Sequence, residues 1–123
     1  MDKQNNRNTG KVNRHNCQSY HWGEGCLAYI LNQTESMSVK EELMPPNTTE
    51  ELHFHRHTSQ FFYILEGQAT FILNGEIIYL EQGDSLAVPK GVIHQIRNSA
   101  PDKLRFLVIS SPFIEGDRHI SKK

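Results

Sequence analysis

The sequence has too few cysteines for a disulfide scaffold or a cysteine-rich zinc site. Its 123 residues include two, Cys17 and Cys26, and these do not form a Cys-x-x-Cys pair. Frameworks of both kinds use several thiols at short, regular spacings. We therefore interpret the two cysteines as small, half-buried residues, a common setting for a free thiol.

Long apolar runs are also missing. No stretch of the sequence reaches the length of a membrane span or of the hydrophobic region of a secretory signal. The sequence therefore predicts a cytoplasmic protein without a membrane partner.

A strongly basic region is lacking in the body of the chain. The formal net charge is −1, and residues 1–14 carry four cations and one acid, which leaves −4 for residues 15–123. A nucleic-acid-binding face would need a basic stripe, so we expect no nucleic-acid partner. Residues 1–14 are polar, with few β-branched or aromatic side chains, which predicts a disordered tail. Residues 15–123 are then one domain.

An apolar repeat of 3.6 residues, which would indicate an amphipathic helix, is absent as well. Short segments are instead separated by glycine, proline and asparagine turns, and Asn74-Gly75 is typical of a two-residue hairpin turn. Nine segments are predicted strands: 26–32, 37–44, 51–56, 61–66, 68–73, 76–81, 85–88, 94–98 and 104–110. The pattern predicts an all-β sandwich or barrel with less than about a tenth of helix.

Histidines occur where strands can bring them together. His53 and His55 are two residues apart, so on a strand both imidazoles project to the same side. His94 follows a Pro89-Lys90-Gly91 turn and can supply a third nitrogen from another strand. Three convergent imidazoles on rigid strands suit a divalent transition metal.

Two segments resemble the sequence motifs of the cupin superfamily. Residues 53–67 resemble the first motif, which reads His-x-His, four residues, an acid, six residues and Gly, although Gln60 takes the place of the acid. Residues 83–98 match the second motif, Gly-x5-Pro-x-Gly-x2-His-x3-Asn, at every defined position. Fifteen residues separate the motifs, a spacing typical of compact single-domain bacterial cupins.

The resemblance implies a double-stranded β-helix (jelly-roll) barrel with one metal ion, Fe, Mn, Ni or Zn, in its lumen. Carried over by position, the ligands are His53, His55 and His94, with Gln60 as the fourth. A glutamine carbonyl is neutral, so metal affinity should fall and the Lewis acidity of the ion should rise. The alternative is a degenerate site in which Gln60 hydrogen-bonds a histidine and no metal binds. Asn47 replaces the leading glycine of the first motif and tolerates a left-handed turn.

Residues near the motifs have weaker assignments. His57 and Glu51 share the strand side of the motif histidines, so on a straight strand His57 is an alternative ligand and Glu51 a lumen-side acid. We favour positions near solvent for both. With Tyr63, they are the candidates for a general base. Phe62 and Ile64 share the side of Gln60 and are predicted to line the barrel. Further core candidates are Phe71, Leu73, Leu86, Val88, Ile96, Phe106 and Val108.

The segments outside the motifs are similar to a subgroup of small bacterial cupins named by analogy with sugar-phosphate isomerases. This implies a metal-dependent enzyme that acts on a small molecule in the barrel lumen, by dioxygenase or isomerase chemistry. A second hypothesis is a non-catalytic small-ligand or sugar-binding protein with a structural or vestigial metal. A DNA-binding regulator is disfavoured because the sequence has no helix-turn-helix segment.

Apolar side chains occupy both faces of residues 61–65 and 104–109. The barrel interior accommodates one of these faces, and the other needs a cover. Residues 20–31 can cover part of it, but we expect a homodimer because that segment supplies too little apolar area.

Overall fold

A computed structural model describes residues 10–122, which form strands and turns and no helix. The strands are β1 (Gln18–Trp22), β2 (Cys26–Gln33), β3 (Ser38–Met44), β4 (Thr48–Thr49), β5 (His53–His55), β6 (Ser59–Glu66), β7 (Gln68–Leu73), β8 (Glu76–Glu81), β9 (Ser85–Val88), β10 (His94–Asn98), β11 (Leu104–Ser111) and β12 (Arg118–Ile120). Residues 1–9 of the predicted tail lie outside the described residues.

All nine predicted strands are present, and the predictions differ from the structure only at the strand ends. The segment 51–56 shortens to β5, and the other boundaries move by two residues or fewer. The sequence did not indicate β1, β4 or β12. Two of these have only two or three residues, too few for alternation to show, and β1 is polar and mostly exposed.

Two sheets enclose the core. One has the strand order β1-β2-β3-β11-β6-β9; the other has the order β12-β5-β10-β7-β8, with β4 paired to β10. This is the predicted all-β jelly-roll architecture. Phe62 and Ile64 point inward as predicted, and Leu73 and Leu86 pack against the core from partly buried positions. The buried core includes Cys26, Met44, Phe71, Val88, Ile96, Leu104, Phe106 and Val108.

Two asparagines adopt the backbone conformation that their turns require. Asn74 and Gly75 have φ of 49° and 87°, as a type I′ hairpin turn between β7 and β8 needs. Asn47 has φ of 64°, so it takes the left-handed turn predicted for the position where the first motif usually has glycine.

The short strand β5 sits between two partners from distant parts of the chain. On one side His53 pairs with His94 of β10. On the other side β12 pairs with all three residues, Arg118 opposite His55 and Ile120 opposite His53. This pairing fixes the two motif histidines of β5 beside the histidine of β10.

In the described part of the chain, no helix has the length and apolarity needed to cross a membrane. The cytoplasmic location and the lack of a nucleic-acid partner stay predictions from the sequence.

Gly67, the last residue of the first motif, tests how tightly the β6–β7 turn packs. It has φ of +88°, and a methyl group there would overlap the Lys103 carbonyl oxygen, whereas Gly75 has φ of +87° with nothing near its Cβ position. We expect Gly75→Ala to lower the free energy of unfolding by about 1–2 kcal/mol through backbone strain alone. Gly67→Ala should cost about 1–3 kcal/mol more because backbone atoms must move. Urea denaturation of both variants measures the difference, and equal losses would contradict the packing.

Candidate metal centre

The three motif histidines converge in the space between the sheets. One ring nitrogen from each of His53, His55 and His94 lies within 4.8 Å of the others. Their ring centroids are 4.3 Å apart for His53 and His94, 5.1 Å for His53 and His55, and 5.6 Å for His55 and His94. The register between β5 and β10 therefore assembles the cluster that the sequence predicted.

Backbone carbonyls fix the orientation of two of these rings. His53 Nδ1 donates to the Glu51 carbonyl at 2.7 Å, and His94 Nδ1 donates to the Val92 carbonyl at 2.9 Å. A proton on Nδ1 leaves Nε2 as the lone-pair nitrogen of each neutral ring. In metal sites, a hydrogen bond from the ring nitrogen that does not bind the metal holds the histidine in one tautomer.

Burial keeps the three rings neutral. It lowers the pKa of His53 to about 3, with a further contribution from the charge of His94, and it lowers the pKa of His94 to about 4. Burial also lowers the pKa of His55. Neutral imidazole is the form that binds metal ions.

Gln60 completes the cluster through its amide. Its Nε2 donates to Ser110 Oγ at 3.0 Å, which directs Oε1 to within 3.2 Å of His94 Nε2. With the His94 proton on Nδ1, these two atoms are both acceptors. His55 Nε2 is buried and has no hydrogen-bond partner.

This arrangement of acceptors fits a cation. Two facing acceptors and an orphaned imidazole nitrogen are unfavourable unless a cation or a hydrogen-bond donor lies between them. Imidazole nitrogens with one oxygen donor suit Fe, Mn, Ni or Zn. The residues present therefore fit a divalent transition metal.

Asp117 holds the turn that follows β5. Its carboxylate accepts the backbone N–H groups of Arg56 at 3.1 Å, His57 at 2.9 Å and Thr58 at 3.1 Å. Burial alone would raise the pKa of Asp117, but these hydrogen bonds lower it to about 2. The sequence reasoning did not assign this role, because Asp117 is about sixty residues from the turn that it stabilises.

The base candidates from the sequence do not face the cluster. His57 and Tyr63 are exposed, and the side chain of Glu51 is 72% exposed. Exposure of His57 and Glu51 was expected. The parity argument for Glu51 fails because the chain becomes a regular strand only at His53.

Two other acids, Glu42 and Glu50, lie on the interior side. Glu50 Oε2 accepts the backbone N–H of Ile96 at 3.0 Å and lies 3.9 Å from His53 Nδ1. Loss of water, followed by repulsion from Glu42, raises the pKa of Glu50 to about 8. Loss of water raises the pKa of Glu42 to about 7, although Lys40 opposes the shift. Alternation along β3 from the buried Met44 would have indicated Glu42.

Comparison with known proteins agrees with this geometry. The family model for the cupin domain matches residues 40–110. The chain belongs to the cupin family.

Two relatives of known name match different lengths of this chain. The oxalate-binding protein of Thermotoga maritima is 32% identical over 92 residues, which covers 71% of this chain and 75% of that protein. The quercetin 2,3-dioxygenase of Bacillus subtilis is 42% identical over 45 residues, or 37% of this chain and 13% of the enzyme.

A solved structure supports the fold. The polyketide cyclase RemF from Streptomyces resistomycificus superimposes with a TM-score of 0.79 at 20% identity, covering 92% of this chain and 86% of that one. At this identity the likeness concerns the fold alone.

The Asp117 carboxylate should make stability depend on acid pH. Its pKa of about 2 lies below the ordinary value of 3.8, so its contribution is complete above about pH 4 and is lost as the pH falls through 2. Asp117→Asn should lower the free energy of unfolding by about 1–3 kcal/mol at neutral pH. It should also flatten the loss of stability between pH 4 and 2. Urea denaturation across this range tests both, with the exposed Asp102→Asn as control, and an unchanged pH slope would contradict the role.

Proposed function

We propose that His53, His55 and His94, with Gln60 Oε1, bind one divalent transition metal, and that the protein acts on a small molecule beside it. The observation that carries the proposal is the set of acceptor atoms, His55 Nε2, His94 Nε2 and Gln60 Oε1, which have no donor among them. Relatives named for oxalate binding and for quercetin dioxygenation support small-molecule chemistry.

The reaction that we propose is a metal-dependent isomerisation or a related proton transfer. The bound ion would supply a Lewis acid that polarises a substrate oxygen. Glu42 lines the adjoining cavity and is the candidate for proton transfer to a substrate that extends into it, because a carboxyl with a pKa of about 7 can both accept and donate a proton near neutral pH. Dioxygenase chemistry is the competing activity. Oxygen consumption by the iron-loaded protein, measured across candidate substrates, separates the two.

A non-catalytic ligand-binding protein is the second candidate function. If the Gln60 amide were turned, Nε2 would donate to His94 and Oε1 would accept from the Ser110 hydroxyl. That arrangement satisfies His94 without a metal, although His55 Nε2 remains without a partner. The oxalate-binding relative is consistent with such a role.

Removing two histidines should abolish metal binding. We expect His53→Ala/His55→Ala to lose stoichiometric metal, because a single imidazole and an amide oxygen cannot hold the ion. His57→Ala is the matched control, since it removes an exposed histidine from the same segment. Elemental analysis and titration of metal-free protein with Zn²⁺, Ni²⁺ and Mn²⁺ measure the outcome. Metal retained by the double variant would refute the ligand assignment.

Restoring a carboxylate at position 60 should tighten the site. Gln60→Glu places an anion beside the cation, so we expect the dissociation constant for Zn²⁺ to fall by about tenfold or more. Gln68→Glu, which adds the same charge at an exposed position on β7, is the control. Equal affinity in the wild type and Gln60→Glu would place Gln60 outside the metal's ligands.

We also propose that the protein forms a homodimer through the outer face of the first sheet. On this face Phe61 is 41% exposed and Tyr63 is 39% exposed. Their cross-strand neighbours are Ile109 and Leu107, so the apolar surface is continuous across β6 and β11. Residues 20–31 do not cover it; they form β1 and β2, which extend the same sheet at its edge. A second copy then supplies the cover.

A charge in this face should dissociate the dimer. Phe61→Lys should convert a dimer into a monomer at micromolar concentration, because an unpaired ammonium in an apolar interface is strongly unfavourable. Ile77→Lys, on the outer surface of the other sheet and 57% exposed in the wild type, is the control. Light scattering gives the masses, and a monomeric wild type would contradict the proposal.

A further inference from the structure

A cavity of about 490 Å³ lies beside the histidine cluster. Its wall includes Tyr20 and Trp22 from β1, Lys40 and Glu42 from β3, Glu50, and Arg118 from β12. A smaller cavity of about 200 Å³ is lined by His55 together with the same Lys40 and Arg118. These two cations therefore separate the larger cavity from the space in front of the metal centre.

Part of this wall belongs to strands outside the region that the family model matches. The cupin family model matches residues 40–110, whereas Tyr20 and Trp22 precede that region and Arg118 follows it. The larger cavity is thus closed in part by residues outside the region that the family model matches.

Lys40 and Arg118 in this wall have N–H groups that are free to bind a ligand. The carboxylate oxygens of Glu50 and Glu51 lie 3.9 and 4.0 Å from the Arg118 guanidinium, longer than the 2.7–2.9 Å of a direct charge-assisted hydrogen bond. Lys40 Nζ donates to Tyr20 Oη at 2.7 Å, which uses one of its three N–H groups. A ligand carboxylate can bind both cations without displacing a tight ion pair.

Other groups in the wall suit hydroxyls. Glu42 and Glu50 present carboxyl oxygens, and the Trp22 indole N–H is buried without a hydrogen-bond partner. The indole lies close enough to influence the Glu42 carboxyl, but the geometry is not that of a hydrogen bond. An apolar ligand would leave the buried Trp22 N–H without an acceptor, which is unfavourable in a partly enclosed site.

We propose that this cavity binds a small polyhydroxy acid, with its carboxylate at Lys40 and Arg118 and its hydroxyls toward Glu42, Glu50 and Trp22. The volume lies within the range of small-molecule sites and accommodates a six-carbon ligand. The inference rests on the small-molecule function proposed above and names its ligand class.

Three six-carbon probes separate the contributions of the ligand's carboxylate and of its hydroxyls to the binding affinity. Gluconate has both a carboxylate and hydroxyls, sorbitol has the hydroxyls alone, and hexanoate has the carboxylate alone. Titration calorimetry on chelator-treated, metal-free full-length protein measures each, so direct coordination by an ion cannot contribute. The same titration is repeated on the His53→Ala/His55→Ala variant, and the metal content of the wild type and of the variant is measured separately. Gluconate binding without metal binding would then mean that only the metal site has failed, and metal binding without gluconate binding would mean that only the ligand site has failed.

We expect gluconate to bind at least tenfold more tightly than either partial probe. Arg118→Gln should weaken gluconate by about tenfold and leave sorbitol unchanged, because it removes the charge and keeps a polar side chain. Arg97→Gln, at an exposed position on β10, controls for the change in net charge. Binding of hexanoate or sorbitol as tight as that of gluconate would overturn the proposal. So would an Arg118→Gln variant with wild-type affinity, or no heat from gluconate and from a second polyhydroxy acid, galactonate.

Discussion

Burial of three imidazole rings side by side is the constraint on which the rest of this structure depends. Removed from water, each ring is neutral and has one donor and one acceptor to satisfy. The donors of His53 and His94 bind backbone carbonyls two residues earlier in the chain. The acceptors are all directed into one small volume, so the fold concentrates electron pairs at a point that a cation can occupy.

Much of this arrangement could be predicted from strand alternation and motif spacing. The register of β6 places Gln60, Phe62 and Ile64 on the interior side, and two-residue spacing does the same for His53 and His55. Alternation fails before β5, where the chain is irregular, and so Glu50 rather than Glu51 faces inward. Arg118 could not be placed because its position depends on the long-range pairing of β12 with β5, which local pattern does not encode. Trp22 was missed for another reason: β1 pairs with the adjacent β2, but its polar, exposed residues show no alternation.

Adjacent acids on β3 show how completely the side of a strand determines chemistry. Glu41 faces outward and accepts from Arg14 at 3.0 Å and from Arg105 at 2.9 Å. Glu42 faces inward, and its pKa rises because the nearby Lys40 compensates only part of the lost hydration. Glu41 thus forms an ion pair that anchors the chain preceding β1, whereas Glu42, the next residue, is suited to proton transfer.

The single rung between Arg118 and His55 joins the two halves of the interior. On the proposals above, a ligand that orders the Arg118 side of this rung would also order the backbone that carries His55, and an ion held by His55 would act in the reverse direction. Thermodynamic linkage makes such effects equal: whatever factor the ion contributes to ligand affinity, the ligand contributes to ion affinity. The three-residue strand β5 is thus the backbone element shared by the proposed metal site and the proposed ligand site.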